Sequence, residues 1–197
     1  MARHKFKKRH FNSGQHNAVP GAAPGELMAN PLSYPTQLLI MGYGPEGFVE
    51  QECKTVEEIH AFTNTWPVVL INVIGLGNLE IIEKIGVQFG IDRLSLEDVL
   101  DTSHSPKIEY YEHYIFSIIK GSSLGEQLET EQFSLFLKKN VVIAFEEKPN
   151  KSSFVNVRDR IRRGIGRIRT CGTDYLYYAL LDEVIDRYFP VLNNLNH

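Results

Sequence analysis

Cysteine is scarce in this chain of 197 residues, where only Cys53 and Cys171 occur. They lie far apart and form no Cys-x-x-Cys pair, which argues against a disulfide framework or a thiolate metal site and suits a reducing cytoplasm. Long apolar runs are missing as well. No stretch approaches the roughly 18 to 20 apolar residues that a membrane-spanning helix needs, and the N-terminus has no secretory apolar core. As it stands the chain is expected to be soluble. Neither sign of charge dominates: 21 basic and 24 acidic side chains leave a net charge of -3, with no general pull toward nucleic acid or anionic lipid. Enzymatic signatures are lacking too, since there is no phosphate-cradling glycine loop, no Gly-x-Ser-x-Gly elbow and no His-Glu-x-x-His. His60, His104 and His113 are isolated in sequence and read as surface or strand-end residues rather than general bases. A metal-dependent hydrolase built on clustered carboxylates is the one enzymatic reading left; the expectation is that the chain is not an enzyme.

What is present is enough for one folded unit. The hydrophobic content is 43%, and a chain of this length can bury a sizeable core. Residues 1–35 carry Arg3, Lys5, Lys7, Lys8 and Arg9, then small residues, prolines and glycines, which reads as a basic flexible tail. His4, His10 and His16 in that tail match no structural zinc spacing. Residues 36–171 read as an α/β domain and 172–197 as the start of a long helix. Strand candidates at 38–41 and 48–53 flank a Gly-rich turn, and Thr55 with Glu58 forms a capping box ahead of a short helix that ends before Pro67. The apolar run at 68–74 predicts a strand buried on both faces. Asn78 and Gly90 predict the start and stop of a helix through Phe89. Strands follow at 107–111, 114–121, 132–138 and 141–147, the last two meeting at Lys139-Asn140. Phe154, Val157, Ile161, Ile165 and Ile168 predict an amphipathic helix running past Gly164 and Gly166, and Thr173 or Asp174 caps a helix reaching at least Phe189. The fold class is α/β: a three-layer α/β/α sandwich around a mixed, partly antiparallel sheet.

The most informative stretch is residues 94–101. Leu96, Val99 and Leu100 fall at helical spacing and form an apolar stripe, leaving Glu97, Asp98 and Asp101 on the remaining surface. Glu97 with Asp101 and Asp98 with Asp101 are like-charge neighbours, a repulsion of about 0.2–0.5 kcal/mol per exposed pair. Two offsets are open. With Asp92 or Ser95 as N-cap, Glu97 and Asp98 sit in the first turns, where the macrodipole favours anions. A bound hard cation is the other, because Mg2+ takes oxygen ligands, usually one or two carboxylates plus waters. Asp182 and Asp186, spaced i,i+4 beside Glu183, echo the pattern; pairing of Asp186 with Arg187 or Arg163, with Asp182 solvated, is the alternative there. Separately, Arg158, Arg160, Arg162, Arg163, Arg167 and Arg169 leave a nucleic-acid or interaction module on the Arg158 to Arg169 segment as a different class of function. The segment has no interleaved aromatics, and no nucleic-acid-binding residue is expected.

The segment Leu96-Glu97-Asp98-Val99-Leu100, followed by Pro106-Lys107-Ile108-Glu109-Tyr110-Tyr111-Glu112-His113-Tyr114-Ile115-Phe116, resembles the signature of the cytoplasmic domain of CorA-type magnesium and cobalt transporters. Glu131-Gln132-Phe133-Ser134-Leu135, leading through Asn140 to Phe145-Glu146-Glu147, resembles that family's last hairpin, and residues 174–182 resemble the helix that follows. The match covers about 38–193, more closely after Val69, and Ser105 stands where the family often has arginine. The resemblance implies a cytoplasmic regulatory domain in which carboxylates matching Glu97, Asp98 and Asp182, and more weakly Asp101 and Asp186, bind regulatory Mg2+ between subunits and favour the closed state. Co2+ or Zn2+ are alternative ions, and a zinc-transporting relative on the same scaffold is an alternative identity. It further implies a homopentamer attached to the inner membrane through a stalk and two spans that this chain does not contain, with this part on the cytoplasmic side.

Overall fold

The computed structural model describes residues 26–28, 30–124, 128–149 and 154–195. Most of the basic N-terminal tail, including His4, His10 and His16, lies outside the described residues. Seven strands form one sheet: β1 (Gln37–Gly44), β2 (Gly47–Cys53), β3 (Val68–Ile74), β4 (Lys107–Tyr110), β5 (Ile115–Leu124), β6 (Leu128–Leu137) and β7 (Val141–Glu146), in spatial order β2-β1-β3-β7-β6-β5-β4. All neighbours are antiparallel except β3 and β7, which are parallel and join the two halves. The sheet is therefore mixed, as the sequence predicts, with its one parallel seam near the middle.

Both faces are covered. Alternation along β3 and β7 sends Val69, Ile71, Val73, Ile143 and Phe145 to one side and Leu70, Val142 and Ala144 to the other. The first side takes α1 (Ile59–Thr65), α2 (Leu79–Phe89) and α3 (Arg93–Leu100) through Ile59, Phe62, Ile82, Ile85, Leu96 and Val99. The second takes α4 (Val155–Arg163) and α5 (Thr173–Asp186) through Val157, Ile161, Leu176, Leu180 and Val184. Each such aliphatic side chain contributes about 1.5–3 kcal/mol on burial. A last helix, α6 (Tyr188–Leu195), lies against β5. The result is a three-layer α/β/α sandwich.

Local signals explain most boundaries. Asn78 caps α2 by accepting from the Ile81 amide, and Gly90 ends it in the left-handed conformation with φ 58°. Thr55 and Glu58 do not cap α1 as expected: the Thr55 amide donates to Glu58 Oε1 at 3.1 Å in the turn ahead of the helix, whose N-cap is Glu58 itself, with no side-chain cap hydrogen bond. Further expectations are corrected. The amphipathic helix does not run on to Ile168: Gly164 takes φ 63° and returns its amide to the Arg160 and Ile161 carbonyls, closing α4. Ile165 is left half-exposed while Ile168 re-enters the core from a separate turn. The last helix is also interrupted at Arg187, because Pro190 has no amide to offer the Asp186 carbonyl four residues back. The Gly-rich turn shrinks to Pro45-Glu46, with Gly42 inside β1, where a Cβ would stand 2.4 Å from the Trp66 ring.

Candidate functional site

The helix α3 begins at Asp92, whose carboxylate accepts from the Leu94 amide at 2.8 Å, and ends at Asp101. Capping at Asp92 puts Glu97 and Asp98 beyond the first turn, so the macrodipole does not offset their charge. The inner face of α3 is fixed by Leu96, Val99 and Leu100 in the core and by Ser95, whose hydroxyl donates to Tyr111 Oη at 3.0 Å and lies 3.2 Å from Tyr114 Oη. The two tyrosine rings stack at 4.4 Å. The Asp92 amide donates to Tyr114 Oη, so the start of α3 is tied to the turn between β4 and β5.

Asp98 is answered from the neighbouring strand and loop. Lys107, the first residue of β4, donates to Asp98 Oδ2 at 2.5 Å and to Glu109 Oε1 at 2.9 Å. His104 Nε2 lies 2.8 Å from Asp98 Oδ1 and 3.5 Å from Asp101 Oδ2. Burial draws the Lys107 ammonium down, but its hydrogen bonds to Asp98 and Glu109 outweigh that and leave its pKa raised. The Lys107 hydrogen bond is the largest influence holding Glu109 below the ordinary carboxylate value. Sequence reasoning did not reach Lys107 or His104 as partners of Asp98. Period-two alternation on β4, which puts Lys107 and Glu109 on one face, was the available signal.

The backbone of α3 is also anchored. Gln132 on β6 donates to the Asp98 carbonyl at 3.0 Å, and Lys120 on β5 donates to the Thr102 carbonyl at 2.6 Å and to Gln132 Oε1 at 2.8 Å. Burial pulls the Lys120 pKa down, with Glu147 and Asp101 acting in the opposite sense.

Asp182 and Asp186 lie on α5, across the sheet from α3. Within one chain the structure brings Glu97, Asp98 and Asp101 together and keeps Asp182 and Asp186 apart from them. Arg163 pairs with Asp159 and Arg187 with Glu131, so the two arginines considered for Asp186 are engaged by other carboxylates. The buried neighbour Glu183 instead accepts from the amides of Asn156 and Val157 at 3.1 and 2.9 Å, closing the start of α4 from another helix. The arginine segment is largely consumed internally. Arg162 makes a two-pronged pair with Glu50 at 2.7 Å, Arg169 donates to the Ile161 and Arg162 carbonyls, and Arg160 donates to Tyr175 Oη. Those charges serve the fold.

Residues 78–197 match the family described as CorA-like Mg2+ transporter protein. The chain belongs to this family. A cobalt/magnesium transport protein CorA from Thermotoga maritima is 35% identical over 184 residues, 91% of this chain and 52% of that protein. The chain thus spans about half the length of that curated relative. The soluble domain of CorA from Methanocaldococcus jannaschii superposes with a TM-score of 0.60 at 19% identity, over 81% of this chain and 60% of that one. The cytoplasmic domain of ZntB from Vibrio parahaemolyticus superposes with a TM-score of 0.62 at 9% identity, over 83% of this chain and 63% of that one. At these identities the two structures share a fold with this chain and nothing finer. The CorA family is one of ion transporters, not enzymes. Among the described residues no helix is long and apolar enough to cross a membrane, and no group of three or more His, Cys, Asp or Glu side chains could hold a metal ion.

Proposed function

We propose that this chain is the cytoplasmic, metal-sensing part of a CorA-like divalent-cation transporter, in which Glu97 and Asp98 of one subunit and Asp182 of the next contribute to a regulatory Mg2+ site. The family membership carries the reading. Its support in the geometry is the separation of the two acidic sets by the sheet, since a site using both takes its carboxylates from two chains. The donor set suits a hard cation: carboxylate oxygens, few in number, leave room for the waters that Mg2+ retains. When bound, the ion neutralises carboxylates that otherwise repel across the interface. Asp98 and Glu97 orient one side of that contact and Asp182 the other, so the interface tightens when their charge is neutralised and loosens when it is not. Asp101 and Asp186 have weaker, flanking roles. In the complete protein we place this part on the cytoplasmic side of the inner membrane, in a homopentamer, attached through membrane spans.

The test is a titration of Mg2+, with Co2+ and Zn2+ alongside, into the wild type and Glu97→Ala, Asp98→Ala and Asp182→Ala, reading thermal stability and sedimentation. A ligand selective for the native assembly raises the melting temperature, and each substitution should blunt that rise and the association that accompanies it. Identical curves for all four proteins would remove the site assignment. A larger response to Zn2+ than to Mg2+, lost in the same variants, would move the chain to a zinc-handling relative. The nucleic-acid reading has less support, because Arg160, Arg162, Arg163 and Arg169 are engaged within the fold.

A further inference from the structure

At the opposite end of α2 from its Asn78 cap, α1, α2, the turn between β4 and β5 and the β6–β7 hairpin enclose a cleft of about 610 Å3. That volume lies within the range of about 300–1,000 Å3 usual for small-molecule sites. Its lining is rich in donors that have no acceptor. Lys138 reaches over the Tyr114 ring at 5.3 Å, and no carboxylate among the described residues pairs with it or with Lys139. Elsewhere lysines and arginines are mostly engaged: Lys84, Lys107, Lys148, Arg162 and Arg163 by carboxylates, Lys120 and Arg169 by carbonyls. Gln88 adds a buried side-chain nitrogen with no hydrogen-bond partner. His60 lines the same cleft, and the one acid there, Glu112, is 87% exposed and drawn toward His113.

The lysine-bearing turn is built rather than loose. Thr173 Oγ1 shares its one proton between the carbonyls of Lys138 and Lys139, each at 3.1 Å, from the far side. Asn140 Nδ2 donates to the Thr63 carbonyl at 3.0 Å, and the Asn140 carbonyl accepts from the Val69 amide at 2.9 Å. The hairpin tip is therefore fixed to α1, β3 and α5 at once. The carbonyl ends of α1 and α2 approach this end of the sheet, but their charge is partly spent. Trp66 and Asn140 close the Phe62 and Thr63 carbonyls, and Gly90 and Ile91 close those of Gly86 and Val87. Burial also lowers the Lys138 pKa, the mark of an ammonium removed from water without a counter-charge.

We propose that this cleft binds a small phosphate-bearing metabolite, its oxyanion held by Lys138, Lys139 and Gln88 and its organic part lying along Phe89 and His60. Two lysines on a rigid turn and an unpartnered amide nitrogen lining one cleft are a donor set that a phosphate rewards, since hydrogen bonds with ionised partners are roughly twice as strong as neutral ones. This inference does not depend on the metal-site reading.

The experiment is isothermal titration of the 197-residue chain with inorganic phosphate, pyrophosphate and ATP in phosphate-free buffer containing EDTA, so that divalent ions play no part. Saturable binding is expected, with the preferred probe separating free phosphate from a nucleotide-sized source. Lys138→Met should weaken it about tenfold to a hundredfold and Lys139→Ala by a smaller factor, while Lys54→Ala, outside the cleft, should leave it unchanged. Lys139 is exposed, so its removal leaves folding intact even if Lys138→Met perturbs it; melting temperature checks both. Absence of saturable heat with all three probes, or equal affinities in wild type, Lys138→Met and Lys139→Ala, overturns the proposal.

Discussion

Asp98 shows how one side chain inherits its partners from the fold. The repulsion among Glu97, Asp98 and Asp101 is legible from helical spacing, and so is the need for an offset. What the spacing does not reveal is that the offset includes Lys107, because β4 must first be laid beside α3 before the two can meet at 2.5 Å. The half-buried Lys107–Asp98 pair has a consequence for any cation that approaches. If Asp98 takes part in the proposed Mg2+ site, the ammonium holding its Oδ2 would have to give way, which would make Lys107 a tethered competitor. We expect Lys107→Met to strengthen the Mg2+-dependent rise in melting temperature while lowering stability without Mg2+ by about 1–2 kcal/mol, as a buried acceptor loses a charged donor. Thermal scans with and without Mg2+ check both halves. A weaker response to Mg2+ in the variant would mean that Lys107 positions Asp98 for the ion rather than competing with it.

Elements were most readable where their signals are local. The caps of α2, the buried run of β3 and the apolar face of α3 stand in the sequence as they stand in the fold. The end of α4 was missed because Ile165 and Ile168 continue the helical period past a glycine, and only the left-handed turn at Gly164 decides against them. Which strands pair was not readable beyond the hairpins, since the parallel β3–β7 seam joins segments about seventy residues apart. Also hidden was the start of α4. Phe154 precedes it at φ 49° with no side-chain cap of its own, and Glu183 from α5 supplies the missing acceptor. Burial pushes the Glu183 pKa up, and the Val157 and Asn156 amides and nearby arginines only partly restore it. A carboxyl raised in the folded state holds its proton to higher pH than in the unfolded chain. Its contribution to stability is therefore greatest below the ordinary value of 4.5 and declines as pH rises through the folded value. Glu183→Ala should cost about 1–2 kcal/mol through loss of the cap, and the cost should be larger near pH 4.5 than near pH 8. Urea unfolding at the two pH values measures it; an equal or larger penalty at the higher pH would show that the amides, not burial, set the titration of Glu183.

At the scale of the whole molecule, the sheet is both a wall and a connection between the two acidic faces. Its seven strands keep α3 and α5 apart, yet Lys120 on β5 touches both sides. Its ammonium holds the Thr102 carbonyl just after α3 and the Gln132 carboxamide that in turn holds Asp98, while its own carbonyl accepts from Tyr188 Oη at 2.6 Å at the start of α6. Arg187, at the break between α5 and α6, lies over the Phe133 ring at 4.8 Å and pairs with Glu131. The helix break imposed by Pro190 is thus seated on the same two strands, β5 and β6, that anchor the acidic helix. Thr102 and Asp98 are thus joined to those strands by direct hydrogen bonds, the contacts through which a rearrangement at α3 would act on them. Spatial contact alone does not establish coupling, so the decisive observation is exchange at a distance. In Lys120→Met, amide hydrogen exchange should quicken at 98–104, where anchors are lost, and also in α6, whose own side-chain contacts are untouched. In Tyr188→Phe, which removes only the hydroxyl, α6 should loosen and 98–104 should follow to a smaller degree. If each substitution accelerates exchange on its own side of the sheet and leaves the other at the wild-type rate, the two faces are mechanically independent. A rearrangement at α3 would then not reach α6 through this sheet.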